Sequence, residues 1–193
     1  MFDEERALSA AMRTFWEKGY EATSTQDLCE ATGLGRSSIY NTFKSKHDLF
    51  TRALAHYIDT TTTNQLAILE DARLSGADRI RTLLAVIVEG ETEHRAGGHS
   101  LGCLTVNTTV ELAGRDARTA RMLERDTARR LASLRAVIGE GRRDGSISST
   151  RDAGALARFV NAAIGGMRIS SQGGADRAAL ESIAEVTLDA LTH

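Results

Sequence analysis

The chain has 193 residues, with 24 Lys and Arg against 26 Asp and Glu, and this formal net charge of −2 excludes a strongly basic chain that binds nucleic acid through its overall field. Proline is absent and no β-rich run occurs, so helices joined by glycine turns are favoured. No apolar run approaches membrane length and no signal-peptide pattern is present, so we expect a soluble, cytoplasmic protein without a membrane partner. Cys29 and Cys103 lack metal-ligand spacing, and we expect free thiols in a reducing compartment.

Helical periodicity predicts an all-α chain of about nine helices. The first is predicted over about residues 3–18 and ends at Gly19. The second has Ser24 as its N-cap, with Asp27 in the capping-box position, and ends at Gly33 after about two turns. A short helix, a tight glycine turn and a third helix are therefore expected in sequence.

The third helix is predicted over residues 36–42, after Gly35. Ser45 caps a longer fourth helix that reaches about Ala72. Within it, the run Thr60–Thr63 consists of poor helix formers. This run predicts either a local bend or pocket wall, or solvated turns of a helix that its neighbours hold in place.

The remaining chain predicts five further helices. Ser75 is a capping residue for the fifth, residues 94–100 form a glycine loop, and the sixth helix spans about residues 102–113. The seventh helix runs over about residues 116–143. Ser149 begins the eighth, and a Gln-Gly-Gly loop leads to the ninth.

Two domains follow from this order of elements. Residues 1–48 are predicted to form a three-helix domain with a helix-turn-helix, and residues 49–193 a larger all-helical domain. Any affinity for DNA has to come from a local patch. Such a patch exists, because Arg36, Lys44 and Lys46 meet no acidic residue between Leu34 and His47.

A helix-turn-helix can lay its last helix in the major groove of DNA. Arg and Asn side chains can pair with guanine and adenine edges, and hydroxyls at a helix N-terminus favour phosphate. The residues predicted to contact DNA are Ser24, Thr25, Arg36, Ser37, Tyr40, Asn41, Thr42 and Lys46. The plain alternative is a helical hairpin with a solvated polar face.

The run GYEATSTQDLCEATGLGRSSIYNTFKSKHDLF resembles the N-terminal signature of the TetR family of bacterial transcriptional regulators, over about residues 8–54. The matching positions are Phe15, Gly19, Tyr20, Thr23, Asp27, Gly33, Tyr40, Phe43, Lys46 and Leu49. The chain departs from the family pattern where it begins MFDEER without a basic arm, where Gly35 replaces a Ser or Thr cap, and at Asn41-Thr42, where an aromatic-His pair is common. In this resemblance Tyr40 and Lys46 correspond to phosphate contacts, while Arg36, Ser37 and Asn41 are the expected readers of base edges.

The resemblance implies a homodimeric repressor that a small molecule releases from a palindromic operator, with residues 49–193 as the helical effector-binding and dimerisation domain. We expect no cofactor. We also expect no bound metal, because His94, His99 and Cys103 are loosely spaced and no clear fourth ligand is present. Small residues in the last two helices, such as Ala162 and Gly166, allow the close helix packing of a four-helix dimer interface. The chain is expected not to be an enzyme. A helical-bundle enzyme or carrier without DNA binding is the alternative from another class, although no Ser-His-Asp set, paired acid or phosphate loop is recognisable.

The sequence gives the least information about the effector pocket. Its candidates are Tyr57, Thr61, Leu84, Ile87, Cys103, Asn107, Glu111 and Met122. The segment GHSLGCLTVNTTVELAG resembles a subgroup of the family in which a cysteine at this place can sense electrophiles or oxidants. Cys103 is therefore either a thiol sensor, with His99 one turn away, or a small core residue.

Overall fold

A computed structural model describes residues 4–96 and 101–193, and in these residues the chain forms nine α-helices and no strand. The predicted all-α fold is confirmed. The helices are α1 (Glu4–Lys18), α2 (Thr25–Thr32), α3 (Arg36–Phe43), α4 (Lys46–Leu69), α5 (Gly76–Ala96), α6 (Leu104–Leu112), α7 (Ala117–Asp144), α8 (Ala153–Gln172) and α9 (Arg177–Thr192).

The start of α8 differs from its prediction. The sequence predicts Ser149 as the cap of this helix, but the N-cap is Asp152, whose carboxylate accepts from the Ala155 N–H at 2.8 Å. The Ser149 N–H donates instead to the Leu191 carbonyl at 3.0 Å and so joins the segment before α8 to the end of α9. Either residue suits an N-cap by type, and packing against α9 selects the later one.

Two helix ends are also shifted. Helix α4 stops at Leu69 rather than Ala72, and α5 continues to Ala96, through the first residues of the predicted loop 94–100. The rest of that loop, including His99, lies outside the described residues. The run Thr60–Thr63 does not break α4, since Thr60 bonds back to the His56 carbonyl at 3.0 Å within a continuous helix.

The helices assemble into two packing units. The first comprises Met1–Thr61 with Cys103–Glu124, and the second comprises Thr62–Gly102 with Arg125–His193. These units are defined by packing, so the predicted functional boundary between residues 48 and 49 stays a prediction.

The first unit has an aromatic core. Phe15, Phe43 and Phe50 are fully buried, and the Phe15 and Phe50 rings meet edge to face with centroids 5.1 Å apart. Apolar side chains of α1 to α4, α6 and the start of α7 complete this core. Burial on this scale makes α6 a structural component of the unit that contains the helix-turn-helix.

The second unit has an aliphatic core between α5, α7, α8 and α9, in which Ile80, Ile138 and Val160 have no exposed surface. Helices α5 and α7 approach closely at Gly76 and Gly141. A Cβ on Gly76 would lie 2.5 Å from the Gly141 Cα, so this crossing requires a residue without a side chain.

Candidate nucleic-acid interface

Helix α2 and its turn are specified by local chemistry. The Ser24 hydroxyl accepts from the Asp27 N–H at 3.1 Å, while the Ser24 N–H donates to the Asp27 carboxylate at 2.7 Å. This is the predicted capping box. Gly33 ends the helix in the left-handed conformation with φ 69°, which a glycine adopts without the cost of a Cβ clash. The turn then leads directly to α3 at Arg36.

Helix α3 has one buried and one exposed face. Ile39 and Phe43 are fully buried in the core of the first unit. Arg36, Ser37 and Asn41, the predicted readers of base edges, are exposed. The apolar face anchors the helix, so these three polar side chains are held outward on one rigid surface.

Tyr40 connects the two helices of the motif. Its hydroxyl lies 2.8 Å from the Thr25 hydroxyl at the start of α2, and the Arg36 guanidinium stands 5.8 Å from its ring centroid. Tyr40, Thr25 and Thr42 are half-buried, while Ser24 is exposed. The structure therefore brings Tyr40 and Thr25 together beside the N-terminus of α2, where N–H groups and the helix dipole favour an anion.

Lys46 is positioned at the other edge of α3. Its ammonium lies 4.5 Å from the centroid of the Tyr20 ring and 3.4 Å from the Glu21 carbonyl oxygen. A cation over an aromatic face is attracted by the ring quadrupole. The turn after α1 thus orients the charge that the sequence predicts to meet a phosphate.

Lys44 is a candidate that the predicted DNA contacts omitted, although the sequence places it in the basic patch. It is exposed and has φ 57° and ψ −43°, and the Ser45 N–H donates across it to the Phe43 carbonyl at 2.5 Å. This is a tight γ-turn that a residue with a Cβ rarely adopts. The turn separates α3 from α4 and presents a cation between the end of α3 and Lys46.

Glu111 on α6 holds the turn between α1 and α2, which also positions Lys46. Its carboxylate accepts from the Tyr20 N–H at 2.9 Å and from the Glu21 N–H at 2.8 Å. Gly19 next to them has φ 81°, and a Cβ there would lie 3.2 Å from the Glu111 Oε2. Glu111 is one of the predicted effector residues, but both of its carboxylate oxygens accept from backbone N–H groups of the turn between α1 and α2.

A second contact joins the α6–α7 junction to α4. Asp116 accepts from His47 Nε2 at 2.7 Å and from the Arg118 N–H at 3.0 Å, and it also bonds the Thr119 hydroxyl. The Thr119 hydroxyl contributes most to holding the pKa of Asp116 well below its usual range, and His47 adds to this effect. Asp116 is therefore a carboxylate at neutral pH and caps α7.

The electrostatics of α2 are local as well. Lys18 at the end of α1 forms an ion pair with Asp27, with the Nζ and Oδ1 atoms 2.5 Å apart. The hydrogen bond from Lys18 lowers the pKa of Asp27 far below its usual range, and the bonds from Ser24 lower it further. The capping carboxylate stays ionised in any physiological condition.

The predicted effector residues fall into different packing units. Tyr57, Thr61, Cys103, Asn107, Glu111 and Met122 belong to the first unit, and Leu84 and Ile87 to the core of the second. Cys103 is 1% exposed, and its sulfur lies 3.0 Å from the Thr105 hydroxyl and 3.5 Å from the Tyr57 hydroxyl. Cys29 is half-buried against the same core.

Helices α8 and α9 carry apolar side chains that their own unit leaves uncovered. Phe159, Ile169 and Val186 are 45%, 55% and 62% exposed. Large apolar groups on the last two helices are typical of an interface with a second subunit.

In residues 4–96 and 101–193, no group of three or more His, Cys, Asp or Glu side chains is arranged to hold a metal. No helix among the described residues is long and apolar enough to cross a membrane.

Two family profiles match the sequence. The profile described as bacterial regulatory proteins, tetR family, matches residues 7–53, and the profile of the tetracyclin repressor-like C-terminal domain matches residues 76–187. The chain is 33% identical to the HTH-type transcriptional repressor ComR of Escherichia coli over 97% of this chain and 88% of that protein. It is 27% identical to the repressor DhaR of Mycobacterium sp. over 93% of this chain and 87% of that one.

Solved structures show the same fold. The TetR family transcriptional regulator CifR, as a cysteine mutant complexed with 26-bp operator DNA, is 27% identical and matches 99% of this chain and 97% of its own with a TM-score of 0.86. The reduced form of Escherichia coli NemR, at 17% identity, matches 98% of this chain and 97% of its own with a TM-score of 0.87, which shows the fold alone.

Proposed function

Since the chain belongs to the TetR family of bacterial regulatory proteins and is a ligand-responsive, DNA-binding transcriptional regulator, we propose that it reads its operator through Arg36, Ser37 and Asn41 on α3. The observation that carries this proposal is the two-faced α3, with Ile39 and Phe43 buried and the three polar side chains exposed. Arg and Asn are the side chains best suited to bidentate contacts with base edges in the major groove.

The phosphate contacts lie on both sides of this helix. Tyr40 with Thr25 stands at the N-terminus of α2, and Lys46 with Lys44 stands after the C-terminus of α3. The chain as a whole is slightly acidic, so the affinity for DNA rests on these few groups. We therefore expect a moderate dependence of binding on salt, with each neutralised phosphate contributing about 0.9 to its logarithmic slope.

Two copies are needed for this arrangement to be specific. In a homodimer joined through α8 and α9, two α3 helices enter successive major grooves of a palindromic operator. The exposed Phe159, Ile169 and Val186 support this interface, because burying them removes large apolar groups from water. A small molecule then releases the operator by favouring a dimer in which the two helices no longer fit the DNA, typically with a coupling of about 1–3 kcal/mol.

The activity proposed here is binding without turnover, and it takes place in the cytoplasm, where bacterial operators are found. Repressors named among the relatives support this assignment. A thiol switch at Cys103 is less favoured, because the sulfur is buried and lies within hydrogen-bond distance of Thr105 and Tyr57. Equal operator release by oxidant in the parent protein and in Cys103→Ser would exclude that switch.

The test of DNA recognition begins with the genomic fragments that the purified protein selects, which define the operator. Tyr40→Ala and Lys46→Ala should weaken binding to all sequences alike, while Asn41→Ala should change the preferred base at one position of each half-site. Asn64→Ala, an exposed asparagine far along α4, is the matched control and should bind like the parent. An unchanged footprint and affinity in all three interface variants would refute the assignment.

A further inference from the structure

In the second packing unit, the side of α7 that faces solvent carries arginine and small residues only. The helical period places eight residues together on this side. Its cations, all exposed, are Arg125, Arg129, Arg135 and Arg143. The small residues between them are Ala128, Ala132, Ala136 and Gly139. We call this surface the arginine face, and along the helix axis it is about 27 Å long.

The arginine face contains no carboxylate. The two acidic residues between its ends point elsewhere, since Asp126 is buried and pairs with Arg130, while Glu140 pairs with Arg79 at 2.6 Å. Within the described part of the chain, none of the four arginines of the face forms a hydrogen bond or an ion pair. A chain with a formal net charge of −2 therefore concentrates four unpaired cations on one helix surface.

Other exposed arginines of this unit stand beside carboxylates. Arg177 pairs with Glu181 one helical turn later, and Arg81 pairs with Asp78. Like charges that are one turn apart repel each other and destabilise a helix. The arginine face is thus unfavourable for the fold alone, and a polyanion bound along it would relieve the repulsion.

The arginine face also lacks an apolar anchor. None of the exposed large hydrophobic side chains among the described residues lies on α7. Protein interfaces depend on buried aromatic and apolar anchors, and helices that bind membrane surfaces insert such groups into the lipid. A nucleic-acid backbone needs neither, because a guanidinium group pairs with phosphate oxygens through two parallel hydrogen bonds.

The small residues leave room for a close approach. The Arg143 Nη1 atom lies 3.7 Å from the position that a Cβ on Gly139 would take, so this guanidinium group lies along the face. Only alanine methyl groups stand between the other three arginines. A long, narrow polyanion can therefore contact the guanidinium groups without meeting a bulky side chain.

We propose that the arginine face of α7 is a second DNA-binding surface, which binds the sugar–phosphate backbone of a duplex independently of its sequence. Its length corresponds to about eight base pairs at about 3.4 Å each. The face belongs to the second packing unit, whereas α3, which we propose reads the operator, belongs to the first. A homodimer would carry two such faces and would bind non-operator DNA in addition to its operator.

The experiment uses the full-length protein and a labelled duplex of random sequence, with binding measured by fluorescence anisotropy at several salt concentrations. All variants carry Lys46→Ala, which reduces the contribution of the surface around α3. Replacing Arg125, Arg129 and Arg135 together with glutamine should weaken binding at least about tenfold. It should also lower the logarithmic salt slope by about 2.7, because each phosphate contact contributes about 0.9.

The matched control replaces Arg73, Arg81 and Arg177 with glutamine. These arginines are exposed and ion-paired in the same unit, so the same charge is removed and binding should change by less than about twofold. Should the triple variant of the arginine face unfold, Ala132→Glu takes its place, because it adds a carboxylate to the face and should also weaken binding.

A minimal operator, titrated without the Lys46→Ala substitution, tests the proposed function separately. The triple variant of the arginine face should bind this operator like the parent. Equal loss of random-sequence binding in the triple variant and in its control would overturn the proposal, since net charge alone would then be responsible. Binding through the arginine face to phosphatidylglycerol vesicles or to polyglutamate, but not to duplex DNA, would overturn it as well.

Discussion

Replacing Glu111 with alanine tests whether α6 supports the DNA-binding motif. The substitution removes two hydrogen bonds, from the N–H groups of Tyr20 and Glu21, at 2.9 and 2.8 Å. A hydrogen bond to a charged group contributes about 1.5–3 kcal/mol when buried. The Glu21 bond is exposed, so we take roughly 1 kcal/mol for each and expect a loss of about 2 kcal/mol in the free energy of unfolding.

The same substitution should also weaken DNA binding, because it loosens the position of Lys46. The lysine is held against the Tyr20 ring and the Glu21 carbonyl, and both belong to the turn that Glu111 fixes. A looser turn leaves the ammonium free to sample other positions, so ordering it on the phosphate costs conformational entropy. We expect operator affinity to fall by about tenfold.

Urea unfolding at fixed protein concentration and operator titration measure the two effects. Glu111→Gln, which keeps one acceptor oxygen, should give an intermediate result in both. Val110→Ala on the same helix, at a side chain that is 83% exposed, should leave both unchanged. If Glu111→Ala has the same free energy of unfolding and the same operator affinity as the parent, the contact does not support the DNA-binding motif.

Three further substitutions test the same region. Gly19→Ala should destabilise the protein by about 2 kcal/mol in thermal unfolding, because φ 81° is strained for alanine and its Cβ would press on Glu111; unchanged stability would contradict this. Lys44→Gly should raise the free energy of unfolding by about 1 kcal/mol, because glycine adopts φ 57° without strain. The same substitution should weaken operator binding, because it removes a cation. Tighter binding would refute a role of Lys44 in DNA binding. Asp27→Asn should cost stability at pH 7, and the difference from the parent should shrink as the pH falls below about 4, since the paired carboxylate has a lowered pKa in the folded state only. A difference that is constant with pH would show that the ion pair with Lys18 is not responsible.

Much of the DNA-binding half could be predicted because its structure is specified by neighbours in sequence. The capping box of Ser24 and Asp27 and the left-handed Gly33 depend on atoms no more than a few residues apart. The alternation of buried Ile39 and Phe43 with exposed Asn41 follows from the period of a helix. Such local rules are visible in a single sequence.

Other features could not be predicted from local rules. Ser149 and Asp152 are equally good N-caps, and only the Leu191 carbonyl on a distant helix decides between them. Arg130 is one of many arginines in a charged helix, and nothing in the sequence separates it from exposed Arg129. The Arg130 side chain is 15% exposed and pairs with Asp126 of the same helix, which in turn accepts from the Thr62 hydroxyl of α4, 64 residues earlier in the chain.

The sequence by itself determined the all-helical fold and the exposed face of α3, because periodicity, caps and turn glycines act over a few residues. The family was indicated by the resemblance of its N-terminal run to a known signature. Only the tertiary structure decided which polar side chains, distant in the sequence, support the turns beside that face of α3. Glu111 bonds to a turn 90 residues earlier, and Asp116 bonds to His47, 69 residues away. Contacts of this kind arise from the packing of helices against each other, since any exposed carboxylate has the same chemistry until the fold brings it to a donor.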